Sequence, residues 1–110
     1  MRLTLDLDNC GKRRLRGIIK LLEFLFPGKH IKVWRSASGK GYHVVVYMAS
    51  KNYEEIHTIR KFLGDDPVRL AIDVVRNEHG VETQILFSEK RGEKAKLIYD
   101  NWKGGEICGR

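Results

Sequence analysis

The sequence predicts a single α+β domain, and three observations support this fold class. Apolar and polar residues alternate strictly in the opening segment 3–8, as they do in a strand with one buried face. Apolar residues then recur at helical spacing over 11–26, and a Pro-Gly pair ends that pattern. The rest of the chain continues with segments of both kinds, without a repeat, a low-complexity stretch or a linker. We therefore assign residues 1–110 to one domain.

The remaining elements follow from the same local signals. β-branched and aromatic residues favour strands, while Asn52 followed by Glu55 has the pattern of a helix capping box. In chain order these signals predict strands at 31–35 and 42–48, a helix from 52 to about 64, strands at 68–76 and 81–87, and a weaker helix at 92–102. The predicted order is βαββαβ, followed by a C-terminal hairpin strand and a helix.

This order of elements is that of a ferredoxin-like sheet, also called RRM-like after the RNA-recognition motif, with two helices packed on one face. In that topology the first strand lies centrally, between the third strand and the fourth. The opposite face of the sheet carries no helix and remains open for a site. We therefore expect the polar residues of this open face to determine function.

Charge and composition limit the classes of partner. The chain has 21 Lys and Arg against 14 Asp and Glu, which gives a formal net charge of +7 and favours a polyanionic partner. With 42% hydrophobic and 32% charged residues, the composition excludes disordered, collagen-like and membrane proteins. No apolar stretch approaches the ~18 residues of a membrane span, and the charged N-terminus does not resemble a signal peptide. We therefore expect a cytoplasmic protein with no membrane partner.

The alternation on three neighbouring predicted strands places four polar side chains together on the open face. These residues are Asp6, Asp8, His43 and Asp73. Strand spacing brings the three carboxylates within reach of one point, where they repel one another unless a cation joins them. Carboxylate oxygens favour Mg²⁺ or Mn²⁺, and two such ions ~3.5–4 Å apart serve displacement at phosphorus. The face thus predicts a two-metal site, whereas the two cysteines, Cys10 and Cys108, lack the CxxC spacing of a zinc site.

The turn before His43 has a composition typical of a phosphate-binding loop. It supplies a hydroxyl, an ammonium group and two glycines whose backbone N–H groups can approach a phosphate closely. The loop residues are Ser38, Gly39, Lys40 and Gly41. They do not match a Walker A loop, which requires GxxxxGK[ST] before a helix. Arg69, on the same predicted face as Asp73, is a further candidate for a phosphate contact.

Three motifs in chain order resemble those of the archaeo-eukaryotic primase superfamily, namely DxD, SxxGxH and a hydrophobic strand that ends in Asp. The polymerase domains of bacterial non-homologous end-joining ligases are similar in these segments. The motifs read Asp6-Leu-Asp8, Ser38-Gly-Lys-Gly-Tyr-His43 and Leu70-Ala-Ile-Asp73. The resemblance covers about residues 3–87. It implies that the three aspartates bind the divalent metals and that Ser38, Lys40 and His43 contact the phosphates of an incoming nucleotide.

The resemblance implies a primase-polymerase reaction, in which a 3′-hydroxyl attacks the α-phosphate of a nucleoside triphosphate on a DNA or RNA strand. Members of the superfamily normally carry an additional lobe, for which 110 residues leave no room. We therefore expect a minimal palm domain, a core completed by a protein partner, or a relic without processive activity. Two alternatives use the same face: a non-catalytic single-strand nucleic-acid-binding module, and a metal-dependent nuclease.

The basic and aromatic residues outside the motifs each allow two interpretations. The basic residues considered are Arg13, Arg14, Arg16, Lys90 and Arg91. They either contact nucleic acid or form the solvated side of a helix. Trp34 and Tyr47 are expected on the open face, where they can stack on bases, although an edge-strand Trp is equally a packing residue.

Overall fold

The computed structural model describes residues 1–86, 89–90 and 93–103, which form an α+β fold. It contains a four-stranded antiparallel sheet, three helices and a small two-stranded hairpin. The elements are, in chain order, β1 (Leu3–Asp8), α1 (Lys12–Leu25), β2 (Ile31–Arg35), β3 (Gly41–Val46), α2 (Tyr53–Phe62), α3 (Pro67–Glu78), β4 (Glu89–Lys90), β5 (Glu93–Lys94), β6 (Lys96–Asp100) and a 3₁₀ turn (Asn101–Lys103). The predicted fold class is confirmed, and the arrangement is compatible with a ferredoxin-like fold.

The first half of the chain folds as its hydrophobic patterns predict. The elements β1, α1, β2, β3 and α2 lie within a few residues of their expected bounds. The capping prediction for α2 is confirmed, since the side chain of Asn52 accepts a hydrogen bond from the backbone N–H of Glu55 at 2.9 Å. Within the described ranges, none of the helices combines the length and the apolar character needed to cross a bilayer.

The hydrophobic core lies between one face of the main sheet and the helices α1 and α2. The sheet contributes Leu5 and Val44, and the helices contribute Leu22 and Ile56, all of them fully buried. Because side chains alternate along a strand, the residues between these apolar positions face away from the helices. The core therefore fixes the register, and the register determines which polar groups share the open face.

The prediction of a strand at 68–76 is wrong, because this segment forms helix α3. The carboxylate of Asp66 caps the helix by accepting a hydrogen bond from the backbone N–H of Val68 at 2.9 Å. Pro67 occupies the first turn, where a backbone N–H has no helical partner to lose. Val68 and Val75 are 65% and 55% exposed, so the apolar alternation here does not define a buried face. The start signals of the helix thus outweigh the β-branched composition.

The two predictions for the C-terminal part are also wrong within the described residues. Residues 81–86 form no strand, and position 87 lies outside the described residues. In place of the helix predicted at 92–102, β6 pairs with the free edge of β2. Ile98 and Tyr99 of β6 enter the core beside that edge. The β-branched and aromatic run thus gains both ladder hydrogen bonds and burial as a strand, which its weak helical spacing cannot match.

Strand β1 lies at an edge of the main sheet instead of at its centre, since the order of the described strands is β1-β3-β2-β6. Gln84 covers that edge with its buried side chain. Its Oε1 accepts the backbone N–H of Thr4 at 2.7 Å, and its Nε2 donates to the backbone carbonyl of Arg2 at 2.7 Å. These bonds satisfy edge groups that a further strand beside β1 would otherwise pair.

Candidate metal centre

Three carboxylates converge on the open face beside the edge strand β1. One carboxylate oxygen from each of Asp6, Asp8 and Asp66 lies within 4.8 Å of the other two. Asp6 and Asp8 reach the open face because they alternate with the buried leucines of β1. Asp66 arrives from the loop between α2 and α3. Three oxygen donors at this separation match the ligand preference of Mg²⁺ or Mn²⁺.

Backbone hydrogen bonds dock the loop of Asp66 onto β1. The backbone N–H of Asp6 donates to Oδ1 of Asp65 at 2.8 Å. The backbone N–H of Asp66 donates in turn to the carbonyl of Asp6 at 3.2 Å. These two bonds occupy groups on the edge of β1, so the loop takes the place that a neighbouring strand would occupy. The carboxylate of Asp66 is thereby held next to that of Asp6.

A buried ion-pair network supports this loop from behind. The carboxylate of Asp65 accepts hydrogen bonds from Nε of Arg60 at 2.6 Å and from Nη1 of Arg69 at 2.8 Å. The guanidinium of Arg69 also donates to Oγ1 of Thr4 and to the carbonyl of Ile85. Charges this deep in the protein need partners, because an unpaired ion in a low-dielectric interior is strongly destabilising. The network therefore fixes Asp65, which in turn orients the loop.

The structure does not bring Asp73 to the carboxylates of Asp6 and Asp8. Asp73 lies on α3, is 1% exposed, and accepts a hydrogen bond from Nη1 of Arg60 at 2.8 Å. The same oxygen accepts the backbone N–H of Gln84 at 2.9 Å. The predicted strand position opposite Asp6 is therefore wrong. Asp73 balances a buried arginine, and the carboxylate that joins Asp6 and Asp8 belongs to Asp66.

The environment of Asp6 opposes its ionisation. Burial first, and then the neighbouring charges of Asp8, Asp65 and Asp66, raise the pKa of its carboxyl from 3.8 to about 6, while Arg69 acts in the opposite direction. A bound cation would reverse this balance by stabilising the ionised form. The cluster thus combines crowded negative charge with oxygen donors, which is the arrangement that a divalent cation relieves. The donor set fits such an ion.

His43 lies directly beside the cluster, on the strand that pairs with β1. It is the register partner of Asp6, and its Nε2 lies 3.5 Å from Oδ1 of Asp6. Burial, assisted by the charge of Arg69, lowers the pKa of the imidazole below its usual value. The ring is therefore neutral at pH 7 and offers one N–H donor and one acceptor.

The predicted phosphate loop forms the turn between β2 and β3, next to the end of β1 where Asp8 lies. Gly39 has a φ of +75°, a conformation that favours glycine. The N–H groups of both loop glycines are already bonded to Ser36, that of Gly39 to its carbonyl and that of Gly41 to its hydroxyl. The exposed side chains of Ser38 and Lys40 therefore remain as the groups most available to an anion.

Gly41 has a second role, in strand packing. A Cβ at this position would lie 2.1 Å from the carbonyl oxygen of Leu7 on β1. Only glycine lets the two backbones approach this closely. This contact keeps the turn against the strand that carries Asp6 and Asp8.

The remaining predicted contact residues are dispersed. Arg69 lies on α3, and its guanidinium donates hydrogen bonds to Asp65 and Thr4. It therefore acts on the cluster through Asp65, which docks the loop of Asp66. Arg13, Arg14 and Arg16 are exposed on α1, which begins shortly after Asp8. Lys90 lies in β4, while Arg91 and Cys108 lie outside the described residues. Cys10 is buried and free.

Sequence reasoning missed Asp66, the third carboxylate of the cluster, and Asp65, which docks the loop of Asp66 onto β1. A signal for Asp66 is nevertheless present, since Asp followed by Pro is a strong start for a helix. Comparison of the chain with protein-family models, with curated proteins and with solved structures found no match. The geometry of the site must therefore carry any functional assignment.

Proposed function

We propose that this protein is a metal-dependent nucleotidyltransferase of the primase-polymerase type, which joins a nucleoside triphosphate to the 3′-hydroxyl of a nucleic-acid strand and releases pyrophosphate. The observation that carries the proposal is the convergence of Asp6, Asp8 and Asp66 within 4.8 Å. This cluster lies beside His43 and next to the turn that bears Ser38 and Lys40. Carboxylates next to a cationic, hydroxyl-bearing turn suit a phosphate chain bound through a divalent cation.

Each group has a role in this proposal. Asp6, Asp8 and Asp66 would hold the Mg²⁺ or Mn²⁺ ions, which when bound neutralise phosphate charge and lower the pKa of the attacking hydroxyl. Lys40 and Ser38 would bind the outer phosphates. The neutral His43 would donate its N–H to a phosphate oxygen beside Asp6.

The partners follow from this reaction. They are a DNA or RNA strand, nucleoside triphosphates, and a second protein chain that completes the surface holding the strand. A cytoplasmic location belongs to the same proposal, because these substrates occur there. A binding module without catalysis is disfavoured, since three carboxylates without a cation repel the phosphates of a strand.

Incorporation of a labelled nucleotide on a primed template, with Mg²⁺ or Mn²⁺, tests the proposal. We expect Asp66→Asn, and separately Asp6→Asn combined with Asp8→Asn, to reduce incorporation by at least about 100-fold, because each variant removes ligands of the cation. Glu23→Gln removes an exposed carboxylate in the last turn of α1, at the end of the helix opposite to Asp8, and serves as the matched control.

Equal incorporation by the wild type and all three variants would exclude catalysis by this cluster. Shortening of the labelled strand without incorporation, dependent on the same carboxylates, would favour the nuclease. Binding of a single strand that is independent of the cation and of these residues would favour the binding module.

A further inference from the structure

A cavity of about 220 Å³ lies on the open face of the sheet, directly beside the acidic cluster. Its floor consists of Trp34 from β2 and of Val45 and Tyr47 from β3 and its end, and His43 bounds it on the side of the cluster. Leu86 and Ala95 form its walls. The cavity therefore combines aromatic and aliphatic side chains with polar groups, which include the half-exposed Arg2.

The strand register places this cavity relative to the metal cluster. Asp6 and Trp34 are both register partners of His43, one on each side of β3, so the three residues form a row across the sheet. The turn with Ser38 and Lys40 lies beyond one side of this row, at the start of β3. Val45 and Tyr47 lie on the other side, about 7 and 14 Å further along the strand. A ligand laid along β3 would thus meet the turn first, then the carboxylates, then the cavity.

This sequence of surfaces matches a nucleotide from its outer phosphates to its base. We propose that the cavity binds the nucleobase of a mononucleotide whose phosphates lie at the carboxylate cluster, an inference that rests on the proposed function. Sites for whole small molecules span about 300–1,000 Å³, so 220 Å³ holds one planar ring system and leaves the sugar and phosphates outside. Trp34 and Tyr47 offer aromatic surface for stacking, and the guanidinium of Arg2 can donate to polar atoms at the base edge.

The wall of the cavity is built by the segment that closes the edge of β1. Gln84 fixes this segment through its bonds to Thr4 and Arg2, and Leu86 follows two residues later. The cavity thus depends on the irregular course of residues 81–86, because a regular strand in their place would continue the sheet and leave the face flat.

The fluorescence of Trp34 reports directly on occupancy. The chain has two tryptophans, so Trp102→Phe leaves Trp34 as the sole emitter. We expect adenosine monophosphate to quench this emission without any divalent cation, and inorganic triphosphate to leave it unchanged. Val45→Phe fills the floor of the cavity and should weaken quenching by adenosine monophosphate at least about fivefold, the lower end of the contribution of one base stack. Val75→Phe, the same substitution at an exposed site on α3, is the matched control.

The two proposals fail separately in this experiment. Asp6→Asn combined with Asp8→Asn should retain the quenching, because a nucleobase in the cavity does not need the cation. Quenching in a protein that incorporates no nucleotide would sustain the cavity assignment and remove the nucleotidyltransferase. Incorporation with no quenching, and with the same KM for the triphosphate in Val45→Phe as in Val75→Phe, would overturn the cavity assignment alone. Quenching by a single-stranded oligonucleotide but not by the mononucleotide would also overturn it.

Discussion

Replacement of Asp73 distinguishes its role in the buried ion pair with Arg60 from the metal-binding role that the sequence motif predicts. In the folded protein its Oδ2 accepts hydrogen bonds from Arg60 at 2.8 Å and from the backbone N–H of Gln84 at 2.9 Å. Both Arg60 and Asp73 are buried, at 0% and 1% exposure. Asp73→Ala therefore leaves a buried guanidinium with only one carboxylate partner, Asp65, and a buried N–H with none of its present acceptors.

The expected loss of stability is large. Removal of one partner of a buried ion pair costs about 3–5 kcal/mol, against a total of about 5–15 kcal/mol for a domain of this size. Asp66→Asn should change the free energy of unfolding by less than about 0.5 kcal/mol, because Asn caps a helix as well as Asp does. Urea unfolding followed by circular dichroism measures both values. Asp73→Asn, which keeps one acceptor oxygen, is the milder variant if Asp73→Ala does not fold.

Stabilisation by Mn²⁺ should depend on Asp66 and not on Asp73, the opposite of the order expected for stability without the ion. A ligand that binds only the folded state at 100 times its dissociation constant adds about 2.7 kcal/mol of stability. We expect this gain to persist in Asp73→Asn and to be lost in Asp66→Asn. A variant of Asp73 that unfolds within about 1 kcal/mol of the wild type, and that no longer responds to Mn²⁺, would refute the assignment of Asp73 to the buried network and restore it as a ligand.

Three further predictions concern the cluster and the strands beside it. The raised pKa of Asp6 means that its protonated form stabilises the fold below about pH 4 and that this contribution is lost as pH rises through about 6. In metal-free urea titrations, Asp6→Asn should therefore gain stability relative to wild type as pH rises over this interval. A difference between the two proteins that does not depend on pH would contradict the raised pKa. Gly41→Ala should destabilise the protein by about 1–3 kcal/mol, because the added Cβ clashes with the backbone of Leu7. Gly17→Ala, in open space on α1, should stabilise it by about 0.5–1 kcal/mol. Similar free energies of unfolding for the two variants would contradict the close approach of β1 and β3. Gln84→Ala should lower the free energy of unfolding by about 2 kcal/mol or more, as measured by urea unfolding. It should also promote association through the uncovered edge of β1, as measured by light scattering. A variant that stays monomeric and keeps full stability would disprove the covering role of Gln84.

Local patterns predicted the elements whose buried face is set by neighbours in sequence. The leucines of β1 and the capping pair of α2 each specify one structure, and both predictions are confirmed. The alternation along β1 and β3 places Asp6, Asp8 and His43 correctly. Once the inward-facing residues of both strands are known, the residues between them must point to the open face. The half of the site that lies on β1 and β3 could thus be predicted from alternation alone.

The other half could not, because its position depends on contacts distant in sequence. Alternation of apolar residues at 68–76 fits a strand as well as a helix with one exposed apolar side, and periodicity over so short a segment does not separate them. Asp65 is recognisable as a structural acid only once Arg60 and Arg69 are seen to meet at its carboxylate. The edge position of β1 likewise follows from bonds to Gln84 and Asp65, 80 and 59 residues away.

The distribution of charge explains why a cation would act on the fold as well as on a substrate. Asp65 and Asp73 are the most deeply buried acids near β1, and each pairs with Arg60, while Arg69 adds a second cation on Asp65. These buried charges are therefore balanced within the protein. The carboxylates of Asp6, Asp8 and Asp66 stand together outside this balance, and their proximity contributes to the raised pKa of Asp6. A divalent ion there would relieve repulsion between a strand and a loop that are otherwise joined by two hydrogen bonds, so its binding should tighten the contact on which the geometry of the site depends.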